Sequence, residues 1–320
     1  MNVDLLTENL TNPALLFFLL GIFAVQVKSD LAIPETSSRF ISLYLLFSIG
    51  FRGGQELAHS HIDNSMIMAV VFGVLSAIVI PVLAFFLIRK KLGIQNAGAI
   101  AAAYGSVSAV TFVTTVSFLE LHEMPFGGHM IAVMAMMEAP SIIMGVLLVS
   151  LFCDKSELQI SFSGIVKHSL TSGSVLLIAG SLIIGLIANE KQADGIRPFT
   201  TDLFKGFLAV FLLDMGITSG KKLNGLWQNG WTPLAFAIIV PLANGVFTAY
   251  VSSWFIENPA DRLLLSILTA SASYIAVPAA MRISLPQANP GLYIPMALAV
   301  TFPINITLGI PIYYYIIQSF

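Results

Sequence analysis

The residues best suited to chemistry in this sequence are hydroxyls placed where an apolar chain has least use for them. Residues 101–117 read AAAYGSVSAVTFVTTVS, with Gly105, Ser106, Ser108, Thr111, Thr114 and Thr115 and no Leu. Residues 266–281, SILTASASYIAVPAAM, repeat the theme with Ser271 and Ser273. Gly105 weakens helix propensity in the first stretch, and Pro278 removes a backbone donor from the second. A helix broken at these points exposes N–H groups at the start of the next half-helix, where the dipole favours an anion. Nearby hydroxyls and released carbonyls can replace the hydration shell of a sodium ion. Small residues also serve simply to let helices approach. Two such stretches at matching places in two halves favour a transport site over that packing role. Gly105, Ser106, Ser108, Thr111, Ser271 and Ser273 are therefore the expected substrate-binding residues.

Glu138 lies inside the apolar run MAMMEAPSIIMG, where an ionised group is costly unless it faces protein or water. Pro140 deprives a carbonyl one turn back of its partner, so the neighbourhood suits a cation or a proton. The matching segment Thr301-Phe302-Pro303-Ile304-Asn305 offers Thr and Asn instead. The expected cation-binding set is Glu138 and Asn305 with Ser108 and Ser273. Asp214, in FLLDMGIT, is either a further site or a helix-end residue. Glu120 and Glu123 fall at a segment end and are expected in solvent. His59-Ser60-His61-Ile62-Asp63 places two His two apart, but no second cluster completes a tetrahedral zinc site. A solvated loop is expected there, and no metal beyond sodium. All five His fall in loops or at segment ends, which leaves no buried base beside a nucleophilic Ser. No catalytic residue is expected.

These groups sit in a chain built for lipid. Of its 320 residues 57% are hydrophobic and only 10% charged, against about 25% charged in soluble domains. A net charge of −2 argues against a nucleic-acid partner. The single Cys153 excludes a disulfide framework within the chain and any CxxC motif. Residues 1–12 carry Asp4 and Glu8 but no Lys or Arg, so the first apolar segment reads as a span rather than a cleaved signal. Crossing a bilayer takes about 20 apolar residues. Ten segments qualify: 13–27, 38–57, 66–89, 97–119, 129–152, 171–189, 199–219, 231–256, 262–281 and 291–319. With ten spans, ten of the 15 Lys and Arg fall on the side opposite the termini. The positive-inside rule then places both termini outside the cytoplasm.

The halves repeat. Gly50 in IGFRGGQEL aligns with Gly216 in MGITSGKKL at an offset of 166 residues. Ser106-Val107-Ser108 meets Ser271-Ala272-Ser273 at 165, and Glu138-Ala139-Pro140 meets Thr301-Phe302-Pro303 at 163. Five spans per half is odd, so residues 158–320 must enter from the opposite face to residues 1–157. That is the inverted repeat of secondary transporters, with the site near the midplane. GxxxxGK[ST] is absent, so nucleotide-driven transport by this chain alone is not expected.

Gly105-Ser106-Val107-Ser108-Ala109-Val110-Thr111, Ala270-Ser271-Ala272-Ser273, and Pro286-Gln287-Ala288-Asn289-Pro290 with Tyr293 resemble the SbtA-type sodium-dependent bicarbonate transporters. Ile33-Pro34 and Met215-Gly216 extend the resemblance over essentially the whole chain. It implies an all-α membrane protein of ten helices in two inverted five-helix repeats, with core and gate domains, assembled as a homotrimer in a bacterial plasma (inner) membrane. The fourth and ninth spans would be broken and cross at a bicarbonate and sodium site. A PII-like regulator belongs to the same implication, although the linker between halves is shorter here than in cyanobacterial members. Tyr274 stands where the family pattern has Asp, Glu138 where it has Asp, and Ala109-Val110 where it has Gly-Ser.

The reading that follows is a secondary active transporter taking up a small anion, bicarbonate first, by sodium symport. Alternatives are a proton- or sodium-coupled carrier of another small organic or inorganic anion and, from another class, an anion channel or a non-transporting membrane sensor.

Overall fold

The structure, a computed structural model, describes residues 11–59, 63–153, 164, 166–167, 171–227 and 230–320. Most of the break between the halves, with the boundary at 157/158 and His168, lies outside these residues. So do Ser60, His61 and Ile62 of the paired-His motif.

The described residues fold as helices without strands. In chain order they are α1 (Pro13–Gln26), α2 (Glu35–Ala58), α3 (Asn64–Leu92), α4 (Ile94–Gly105), α5 (Ala109–Leu121) and α6 (His129–Phe152). There follow α7 (Gly173–Ile187), a short polar α8 (Glu190–Arg197), α9 (Phe204–Trp227), α10 (Trp231–Val251), α11 (Pro259–Ala270) and α12 (Ala276–Ser284). The last segment, α13 (Pro290–Ser319), winds as π-helix at Met296–Thr301 and Asn305–Gly309. Pro295, Pro303 and Pro311 each lack the N–H of a regular ladder there.

The helix starts are written in the sequence. Asn12, Asn258 and Asn289 each precede a Pro at the first helical position and accept the following amide with their side chains. Asp63 caps α3 by accepting from the Met66 N–H at 2.8 Å. Gly93 ends that helix at φ +82°, a conformation that a side chain would strain, after Arg89, Lys90 and Lys91 in the last turn. At the end of α2, His59 Nδ1 donates to the Gln55 carbonyl at 2.8 Å, and its Nε2 lies 3.4 Å from Glu190 on α8. The carbonyl first and Glu190 second hold its pKa above the ordinary 6.5.

Among the described residues six segments are long and apolar enough to cross a membrane: Asn64–Leu92, Ile94–Leu121, His129–Phe152, Glu190–Leu223, Trp231–Trp254 and Pro290–Ser319. The other four of the ten expected segments are helical but fall short by this measure. α1 and α7 have 14 and 15 residues, or about 21–23 Å of helix. α2 carries Arg39, Arg52 and Glu56, and the ninth segment is divided by its break.

Two sets of helices form. α1 lies along α9, and α2 along α7. These contacts are close because glycines face backbone. A Cβ on Gly216 would stand 2.1 Å from the Phe18 carbonyl oxygen, and one on Gly54 2.1 Å from that of Leu182. In the other set, α3 packs on α4 and α6, while α10 packs on α11 and α13. Pro81 and Pro241 lie inside α3 and α10.

Candidate functional site

α4 ends at Gly105, where no larger residue fits: a Cβ would lie 2.2 Å from Pro81 and 2.5 Å from Ser141 Oγ. Ser106 is extended, and α5 restarts at Ala109. α11 stops at Ala270 in the same manner, with Ser271 extended and α12 starting at Ala276. Carbonyls in the last turns of the two stopped helices take side-chain donors. Ser141 Oγ donates to the Ala102 carbonyl at 2.8 Å, and Asn305 Nδ2 to that of Ala270 at 2.7 Å.

The two breaks meet and hold each other. The Ser108 N–H donates to Ser271 Oγ at 2.9 Å, while the Ser273 N–H donates to the Ala103 carbonyl at 2.8 Å. Each serine also caps its own half-helix: Ser108 Oγ accepts from the Thr111 N–H at 3.2 Å, and Ser273 Oγ from that of Val277 at 3.4 Å. The amides of Ala109, Val110, Ile275 and Ala276 are left without hydrogen bonds among the described residues, as the first turn of a helix dictates. All four residues border a small chamber of about 30 Å³, room for about two water molecules.

Ser42, Ser108, Glu138, Ser174, Ser273 and Tyr274 complete the polar lining of that chamber. No Lys, Arg or His among the described residues reaches it, so the dipoles of α5 and α12 supply the positive potential there. Glu138, only 4% exposed, accepts hydrogen bonds from Ser174 Oγ at 2.8 Å and Ser172 Oγ at 3.3 Å, both at the start of α7. A second cavity of about 670 Å³ adjoins the chamber and shares Ser42, Ser174, Tyr274, Ile275 and Ala276 with it. Its charged lining is Glu35, Arg39, Asp214, Lys222 and Arg282.

The expected residues divide into two groups. Ser108, Ser273 and Glu138 border the chamber. Gly105, Ser106, Thr111 and Ser271 stand behind it, where Ser271 ties the crossing and the hydroxyls of Ser106 and Thr111 are buried without hydrogen bonds. Asn305 is turned away: besides holding Ala270 it accepts from the Tyr313 hydroxyl at 3.2 Å. Asp214 is no helix-end residue. It lies within α9, takes a hydrogen bond from Ser38 and borders the larger cavity. Glu120 departs from the solvated expectation, since Arg52 lies 2.5 Å and Lys205 3.5 Å from its carboxylate. Ser172 and Ser174 were not singled out by sequence reasoning. Their only signal is a Ser-Gly-Ser at a helix start, which reads as an ordinary cap.

A sequence model of the Na+-dependent bicarbonate transporter superfamily matches residues 13–318. The chain belongs to that superfamily. Among curated proteins none matches it. Superfamily membership and the long apolar helices make this a multi-pass membrane protein of a transporter family. At the level of the superfamily the transported species is bicarbonate and the process depends on sodium. In this bicarbonate transporter family member the two breaks cross at a chamber lined by amides and hydroxyls, with no cationic side chain among the described residues.

Proposed function

We propose that the chain is a secondary active transporter that takes up bicarbonate in symport with sodium. The observation that carries this reading is the pair of half-helix starts, Ser108–Val110 and Ser273–Ala276, whose free amides border one chamber. The anion sits on those amides and on the hydroxyls of Ser108 and Ser273. Sodium draws on the unpartnered hydroxyls of Ser106 and Thr111 and on Glu138, which lies across the same chamber.

The ten-span architecture is part of the proposal, and the packing supports it. α1 on α9 is the counterpart of α7 on α2 when the first span is matched to the sixth and the second to the seventh. α3 with α4 and α6 is likewise the counterpart of α10 with α11 and α13. On this reading α1, α2, α7 and α9 form the gate and the remaining long helices the core, repeated in a homotrimer. Both termini lie outside the cytoplasm of a bacterial inner membrane, and the 670 Å³ cavity, with Arg39, Lys222 and Arg282 on its wall, faces the cytoplasm.

Replacing Ser108 and Ser273 together by Ala removes both caps and two chamber hydroxyls. The double variant is expected to assemble normally and to lose uptake; full bicarbonate uptake by it would sink the assignment. A proton-coupled carrier of another small anion is the second reading, favoured by Glu138 as the one carboxylate on the chamber. It predicts sodium-independent uptake whose pH dependence disappears in Glu138→Gln.

A further inference from the structure

One side chain on the chamber has a buried polar atom that neither the fold nor the crossing uses. Tyr274 follows the second break, is 8% exposed, and borders both the chamber and the large cavity. Its ring is fixed: it stands edge-on to Phe302 at 5.9 Å, and Phe302 is edge-on to Phe18 at 5.5 Å. The hydroxyl lies close enough to Ser108 to feel its side chain, but the pair does not reach hydrogen-bond geometry, and no other partner meets the hydroxyl among the described residues. Buried hydroxyls ordinarily find partners, so an unpaired one at the rim of a binding chamber is accounted for by a ligand atom.

The chemistry of that atom follows from the surroundings. A phenol keeps its proton at neutral pH and is a good donor. Ser108 and Ser273 already accept from backbone amides, and Glu138 is engaged by Ser172 and Ser174. The chamber therefore presents donors: four amides, the hydroxyl protons of Ser108 and Ser273, and one phenol, with no cationic side chain among the described residues. We propose that Tyr274 is a specificity-determining residue: its hydroxyl donates to one oxygen of a small oxyanion held on the amides of α5 and α12, and its ring closes the chamber from the large cavity. This rests on the transport reading above and adds the residue that tells an oxyanion from a halide.

The test compares full-length wild type with Tyr274→Phe in proteoliposomes. Uptake of bicarbonate, formate, acetate, nitrate and chloride is measured, with sodium titrated separately and thermal unfolding as a check on folding. Phe keeps the ring and removes only the donor. The expected result is an unchanged melting temperature and a KM for bicarbonate raised about tenfold. Sodium half-saturation stays within about twofold of wild type, and discrimination against chloride narrows. An unchanged bicarbonate KM, with wild type transporting it, overturns the role of Tyr274 and leaves the transport reading standing. A rise in sodium half-saturation instead would assign the hydroxyl to the cation and also overturn it. Uptake of a different oxyanion, weakened in Tyr274→Phe, would overturn bicarbonate as the cargo while supporting the role of Tyr274.

Discussion

Serine and glutamate do different work in this site, and the difference lies in what each already binds. Ser108 and Ser273 are caps whose hydroxyls order two helix starts. Glu138 is a buried acceptor held by two hydroxyls of a helix it does not neighbour in sequence. Replacing it by Gln keeps an acceptor for Ser174 and removes the charge available to a cation. Half-saturation by sodium should rise roughly tenfold in Glu138→Gln, the scale of one lost charged contact, with a smaller change in bicarbonate KM. A variant with unchanged sodium dependence would remove Glu138 from the cation site. The sequence marked Ser108, Ser273 and Glu138 because hydroxyls and a carboxylate stand out in an apolar run. It could not mark Ser172 and Ser174, since local pattern says nothing about which distant helix supplies a partner. For the same reason the sequence could not show that Asn305, matched to Glu138 by spacing in the repeat, engages Ala270 and Tyr313 in the fold.

At the level of helices, the breaks were legible because Gly105 weakens the helix and the nearby serines can satisfy backbone groups that a break releases, and the chain stops there. The close pairings were less so. Glycines are plentiful in this chain, and only the structure separates those facing backbone from those facing nothing. Gly54 faces the Leu182 carbonyl, with a Cβ only 2.1 Å away, whereas a Cβ on Gly180, on the paired helix α7, meets no atom within 4 Å. Gly54→Val must push α2 and α7 apart and should destabilise the protein by about 1–3 kcal/mol. Gly180→Ala should be neutral or slightly stabilising. Thermal unfolding of the two variants in detergent checks this, and equal melting temperatures would contradict the close approach of α2 and α7. The shortness of α1 and α7 was legible only in part, because hydropathy reports where a segment is apolar and not how far its helix runs.

On the scale of the whole molecule, helix pairings that match under the proposed repeat stand beside a chamber at the crossing of two broken segments and a large cavity reaching that chamber from the wall that bears Arg39, Lys222 and Arg282. The proposed repeat rests on three landmarks of nearly constant spacing in the sequence; the cavity had no such signal, since it is the space left between elements. Its side can be tested with Ala279→Cys, a position on the cavity wall, in a Cys153→Ser background. An impermeant maleimide should label that cysteine from the cytoplasmic face of oriented vesicles, and labelling from outside alone would reverse the orientation. The central claim is coupled uptake at the crossing. Its most direct test is accumulation of labelled bicarbonate in proteoliposomes at fixed pH, with and without an inward sodium gradient. The account predicts accumulation above equilibrium only when the gradient is present. Equal uptake with and without sodium, or none from a well-folded preparation, would contradict it.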